Sequence, residues 1–125
     1  MTRQRMIGAT IEHSGVRFTV WAPKASRVDV AFADSGECVE LERFDDGVFE
    51  GLVPGIEAGA RYGYMLDRSM PLPDPASRFQ PDGPHGPSEV IDPSRFTWTD
   101  QGWTGLEMNG LVLYELHAGA FTLEG

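Results

Sequence analysis

The stretch Gly15–Pro23, GVRFTVWAP, decides the fold. Val16, Phe18 and Val20 alternate with Arg17, Thr19 and Trp21, the period of two that marks a half-buried strand, and the preceding His13–Gly15 reads as a turn. Moving toward the C-terminus, RVDVAFA (27–33) repeats the pattern with Val28, Val30 and Phe32 on one face and Asp29 and Ala31 on the other, after a connection spanning Pro23 to Ser26. A third strand is expected in CVELERF (38–44), where Val39 and Leu41 oppose Cys38, Glu40 and Glu42. Asp45–Gly47 is a hairpin signal, VFEGLVPG (48–55) is the return strand, and ARYGYMLD (60–67) puts Tyr62, Tyr64 and Leu66 on one face. Five or six strands spaced by about ten residues predict an all-β fold, an immunoglobulin-like antiparallel β-sandwich over residues 1–90.

Composition sets limits on function. The chain has 125 residues, is 41% hydrophobic, and carries a net charge of −9 from 19 acidic and 10 basic residues. A chain of this size buries roughly two thirds of its unfolded surface in one core. Apart from the Arg3/Arg5 pair there is no basic cluster, so nucleic acid and anionic membranes are excluded as partners, both of which need a concentrated positive patch. The single Cys38 cannot form an intramolecular disulfide, which fits a reducing compartment. The segment after MTRQRM is too short and polar for a signal peptide or a spanning helix, and the protein reads as soluble and cytoplasmic.

Beyond Met70 the character changes. Six of the nine prolines fall in MPLPDPASRFQPDGPHGP (70–87), which can be neither helix nor central strand. A flexible linker would be rich in Gly and Ser, whereas this segment carries Leu72, Arg78 and Phe79 among Asp-Pro and Asp-Gly pairs. It is expected to be an ordered strap, extending over residues 70–110 and overlapping the sandwich end. SEVID (88–92) is a short strand within it, and FTWTDQGW (96–103) supplies Trp98 and Trp103. Asp74, Arg78, Phe79 and His85 are its candidate interdomain residues, with Arg68 and Arg78 expected to brace it against Asp67, Asp74 or Asp82. The chain closes on LVLYELHAGAFTLEG (111–125), whose run Leu111–Leu116 is apolar on both faces apart from Glu115. That is how a strand of a parallel sheet, covered on both sides, reads.

Three blocks, VRFTVWAPKASRVDV, PLPDPASRFQPDGPHGPSEVID and LVLYELHAGAFTLEG, resemble the start of the maltooligosyltrehalose trehalohydrolases, glycoside hydrolases of the α-amylase superfamily. The first block is shared with branching and debranching enzymes. The second is more specific, through Asp74, Pro75, Ser77, Arg78, Pro81, Gly83, His85 and Gly86. The resemblance implies an N-terminal sandwich followed by a (β/α)₈ barrel, with residues 111–125 as the first, orphaned strand of a truncated barrel and the chain as a fragment of the enzyme. It implies that the parent cleaves the α-1,4 bond next to the terminal trehalose of maltooligosyl trehalose, with the barrel and its α-glucan as partners. The paired carboxylates of such enzymes come from later barrel strands, so no catalytic residue is assigned here, and neither cofactor nor metal is implied.

Glu115 and His117 share one face of the terminal strand and are the weak substrate-binding candidates; the alternative is an ion pair or hydrogen bond of Glu115 within the barrel wall. His85 with Asp82 lacks a third ligand at metal spacing and reads as a turn histidine. The tryptophans and Tyr62 and Tyr64 raise a rival function, a stand-alone glycan-binding module. The sandwich resembles such modules, but the binding members carry tryptophans and a lysine where this chain has FADSG (32–36), RSM (68–70) and Gly63. The aromatic residues are therefore expected in the core and at interdomain contacts.

Overall fold

A computed structural model describes residues 5–123. The strands are β1 (Gly8–Glu12), β2 (Gly15–Trp21), β3 (Val28–Phe32), β4 (Cys38–Glu40), β5 (Glu42–Arg43), β6 (Val48–Val53), β7 (Arg61–Leu66) and β8 (Ser88–Glu89). They form two four-stranded sheets in the orders β1-β2-β6-β5 and β4-β3-β7-β8, every ladder antiparallel. The alternation read from the sequence sets the inner faces. Val16, Phe18 and Val20 of β2 and Phe49 and Val53 of β6 face Val28, Val30 and Phe32 of β3 and Tyr62 and Tyr64 of β7 in one core. Phe18 is its centre, meeting Phe32 at 5.7 Å and Tyr62 at 4.9 Å edge-to-face. This is the β-sandwich that the spacing predicts.

Two features of the sandwich depart from the sequence reading. β1 is not among the strands expected from the sequence, because Gly8 and Ala9 are weak strand formers and the segment reads only as too short and polar for a signal peptide or spanning helix, with a turn at its end. Its inner residues, Ala9 and Ile11, nevertheless join the core, and the two-residue turn His13–Ser14 folds it onto β2. The single strand expected over 38–44 is two. Leu41 turns into the core at 3% exposure, its N–H bonded to Val28 O, and the chain passes there from one sheet (β4) to the other (β5). The inward Val39 and Leu41 of the reading are correct, and the crossing follows from Leu41 filling the space over Gly51, where a Cβ would lie 2.8 Å from the leucine Cδ2.

The hairpin turn at Asp45–Gly47 forms as read: Asp46 Oδ1 accepts the Val48 N–H at 3.1 Å, and Gly47 adopts φ +79 where a side chain would strike Pro23. After β8, a 3₁₀ turn spans Pro93–Arg95, with Asp92 accepting the Ser94 N–H and hydroxyl. That hydrogen bonding holds the Asp92 carboxyl below its usual range. From Phe96 onward the described chain has no strand, its only helical element being the 3₁₀ turn Ala118–Ala120. Leu111–Leu116, expected as a two-sided strand, is irregular and exposes Val112, Leu113 and Tyr114. A parallel strand has no ladder without neighbours, and among the described residues the sandwich offers it none.

Candidate functional site

The strap is ordered because a buried carboxylate ties it to the sandwich. Asp74, only 3% exposed, accepts the Tyr62 O–H on Oδ2 at 2.6 Å and the Ala76 N–H on Oδ1 at 2.8 Å, while its own N–H donates to the buried Ser88 Oγ at 3.0 Å. Strand β7, the turn after Asp74 and strand β8 are thereby fastened at one point. Tyr62 is held inside the core by period-two patterning, so its hydroxyl needs a protein partner and finds it in the strap. Burial pushes the Tyr62 phenol well above its ordinary range, and the hydrogen bond to Asp74 and that carboxylate's charge add to the shift. The neighbouring Tyr64 is raised for the same first reason, burial.

Two further ties secure the strap. Leu72 forms an antiparallel bridge with Tyr64, N–H to O in both directions at 2.8 Å, so that it prolongs the sheet edge that β8 also uses. Arg78 Nη1 donates to the Ala9 carbonyl oxygen of β1, joining the strap to the opposite sheet. Of the expected braces, Arg78 is engaged, but through a backbone oxygen and not an aspartate. Arg68 is replaced in that role by Arg61, whose Nη1 lies 2.6 Å from Asp82 Oδ2. Asp67 accepts the N–H groups of Ser26 and Arg27 at 2.9 Å and not an arginine of the strap. Phe79 is half exposed, while its carbonyl accepts the Glu89 N–H and the Ser77 hydroxyl.

Between the strap and the outer face of the second sheet lies a groove of about 420 Å³. Ala31, Cys38, Gly63 and Met65 line it from the sheet, Pro71–Pro73 and His85–Pro87 from the strap. Its aromatic lining residues are His85 and Phe32, the latter only 5% exposed with its ring packed on Phe18 in the core, and it holds neither tryptophan nor tyrosine and no lysine, arginine or carboxylate. Gly63 is required here: a Cβ would lie 2.7 Å from Leu72 O, so this position of the sheet is roofed by strap backbone. The groove thus lacks the aromatic platform and the charged hydrogen-bonding groups that hold a sugar ring.

The aromatic residues divide into two groups. Tyr62 and Tyr64 are core, as expected. Trp21 is 62% exposed on the outer face of the first sheet, its indole N–H donating to Asp46 O at 3.2 Å, and Trp98 and Trp103 are equally open beyond the sandwich. Near Trp21 on the same face, Arg17 bridges Glu12 at 2.8 Å and Glu50 at 3.2 Å, and Thr19 donates to Glu50. Glu115 and His117 are exposed in the irregular terminal segment and are not among the residues that line the groove. Sequence reasoning named Asp74 but missed its partners Tyr62 and Ser88; the signal was an inward-facing tyrosine, which demands an acceptor. Among the described residues no group of three or more His, Cys, Asp or Glu could hold a metal ion, and no helix is long and apolar enough to cross a membrane.

Residues 6–93 match the family model described as carbohydrate-binding module 48, isoamylase N-terminal domain. Malto-oligosyltrehalose trehalohydrolase of Saccharolobus solfataricus is 42% identical over 118 residues, covering 94% of this chain and 21% of that protein. The enzyme of the same name from Rhizobium sp. is 39% identical over 132 residues, covering 100% of this chain and 22% of its own length. The crystal structure of a putative alpha amylase from Salmonella typhimurium superposes with a TM-score of 0.80 at 38% identity, covering 96% of this chain and 20% of that one. The chain therefore spans about a fifth of the length of the curated relatives it matches.

Proposed function

The chain belongs to the carbohydrate-binding module 48 family, the isoamylase N-terminal domains, and from that premise we propose that it is the non-catalytic N-terminal domain of a maltooligosyltrehalose trehalohydrolase. The observation that carries this reading is the strap. Asp74, Arg78 and His85 belong to the block that carries the more specific part of the resemblance to the trehalohydrolases, and two of these residues, Asp74 and Arg78, fasten the strap to both sheets. A segment tied down so firmly at its root, followed by exposed Phe96, Trp98, Leu106, Val112 and Tyr114, is built to present apolar surface to another body. In the parent enzyme that body is the catalytic barrel, and Leu111–Leu116 is its first strand.

The chemistry of the parent is hydrolysis of the α-1,4 bond beside the terminal trehalose unit. Two carboxylates on the barrel perform it, one as nucleophile and one as acid/base. The sandwich supplies none of these groups. Its role is to stabilise the barrel and to bound one side of the substrate cleft, where Glu115 and His117 near the end of the first strand face the sugar chain.

Two measurements test this. Affinity electrophoresis of the chain through glycogen-containing gels is expected to show no retardation, since the groove offers no sugar platform. A protein of the relatives' length containing this chain is expected to release trehalose from maltooligosyl trehalose. Strong retardation of the chain would favour a binding module in its own right and overturn the accessory reading.

A further inference from the structure

Asn109 is the chain's only asparagine and is followed by Gly110. Both are exposed at a turn closed by the Leu111 N–H on Met108 O at 3.3 Å. Gly110 adopts φ +80 in open space, with nothing within 4 Å of where a Cβ would stand, and its N–H donates no hydrogen bond among the described residues. An amide nitrogen without a partner, next to an unhindered side-chain amide, is the arrangement in which the backbone attacks the side chain.

We propose that Asn109 is a site of spontaneous deamidation, a built-in covalent modification at the root of the terminal segment. The Gly110 nitrogen loses its proton and attacks Asn109 Cγ; a C–N bond forms, the bond from Cγ to the side-chain nitrogen breaks, and ammonia departs with the proton. Water then opens the resulting five-membered imide at either carbonyl, leaving aspartate or isoaspartate. No electron is transferred and water is the one co-reactant. The product carries a new negative charge, and in the isoaspartate form the backbone is one methylene longer just before Leu111.

The chain's two other Asx-Gly steps show what restrains the reaction. Gly47 donates its N–H to Phe44 O at 3.1 Å, and Asp46 is held by the Val48 N–H and by Arg5 at 2.7 Å. Gly83 donates to Gln80 O at 3.2 Å, and Asp82 is held by Arg61. Their carboxylates are also poor electrophiles. Asn109 combines the better leaving group with the free amide. The effect on Leu111–Leu116 as a barrel strand rests on the accessory-domain reading; the reaction itself does not.

The test is incubation of the chain in mildly alkaline buffer, followed by intact-mass measurement and tryptic mapping. Arg95 is the last basic side chain, so one C-terminal peptide beginning at Phe96 carries Asn109. A gain of one mass unit confined to that peptide is expected, rising with pH and accompanied by isoaspartyl methyltransferase labelling. Gly110→Ala should slow the gain about tenfold or more, because a side chain both hinders the attacking nitrogen and disfavours this positive φ. No gain, a gain placed on Gln80 or Gln101, or an unchanged rate in Gly110→Ala would each overturn the proposal.

Discussion

Replacing Asp74 by alanine should be among the most damaging single changes to this domain. The substitution leaves the Tyr62 hydroxyl, on a residue only 2% exposed, without an acceptor, and it also frees the Ala76 N–H. A hydrogen bond to a charged group contributes about 1.5–3 kcal/mol, and the stranded buried partner costs a similar amount in desolvation. The Ala76 N–H is only partly buried and can turn to water, so the Tyr62 bond dominates and the total is about 3–4 kcal/mol. Against a stability of about 5–15 kcal/mol for ordinary domains, that is a large fraction. Asp74→Asn keeps a neutral acceptor and should lose about half as much. Tyr62→Phe should cost about 1.5–3 kcal/mol, and the double variant should cost clearly less than the sum of the two singles, with a coupling of about 1.5–2 kcal/mol. Urea unfolding followed by far-ultraviolet circular dichroism measures the unsubstituted chain and all four variants. Strictly additive losses would refute the idea that Asp74 acts on the fold through Tyr62.

Other outcomes follow from the same contacts. Gly63→Ala drives a methyl against Leu72 O and should cost about 1–3 kcal/mol while opening the strap edge, readable as faster amide exchange at Tyr64 and Leu72; unchanged exchange would show that the strap yields freely. Arg78→Ala should increase protease sensitivity between Asp74 and His85 with the sandwich intact, because the tie to Ala9 O is lost; unchanged sensitivity would count against that tie. Tyr62 and Tyr64 are both raised in the folded state, so their contribution is complete below the unfolded value near pH 10 and is lost as pH rises toward the folded values. Stability should therefore fall above about pH 10, less steeply in Tyr62→Phe, and equal slopes in the two proteins would contradict the assignment. At the acid end, Arg27 holds the Asp29 carboxyl below its usual range, so the pair's contribution is present above the unfolded value near pH 4 and is lost as pH falls; Arg27→Ala should lower stability at neutral pH and flatten its fall in acid, and an unchanged acid dependence would argue against this pair.

Much of this was legible in the residues. Period-two alternation gave β2, β3, β6 and β7 with their inner faces, because a sandwich strand has one wet side and one dry side. β1 escaped because Ala9 is small and Gly8 carries no side chain, so the alternation has little hydrophobic contrast even though Ala9 and Ile11 reach the core. The crossing at Leu41 was hidden because a strand that changes sheets keeps its alternation while its partners change. For the strap, proline content indicated order without stating what held it: Asp74 was named, but its acceptor role toward Tyr62 depends on a fold that brings residues 62, 74 and 88 to one point. Arg61 replaced Arg68 as the brace because Arg61 leads β7 beside β8, whereas Arg68 sits at φ +65 in the turn that follows β7. The terminal strand is a case of a different kind. Its two-sided apolar pattern predicts a strand over Leu111–Leu116, whereas these residues are irregular and expose Val112, Leu113 and Tyr114, with no ladder partner for them among the described residues.

Substrate choice by the longer enzyme tests the central claim most directly. A protein of the relatives' length carrying this chain would be supplied in parallel with maltooligosyl trehalose and with a branched glucan, and the products resolved. Free trehalose from the first substrate, with the branched glucan left intact, is the predicted result. Cleavage or rearrangement of the branched glucan alone would contradict it and move the chain to the debranching or branching relatives.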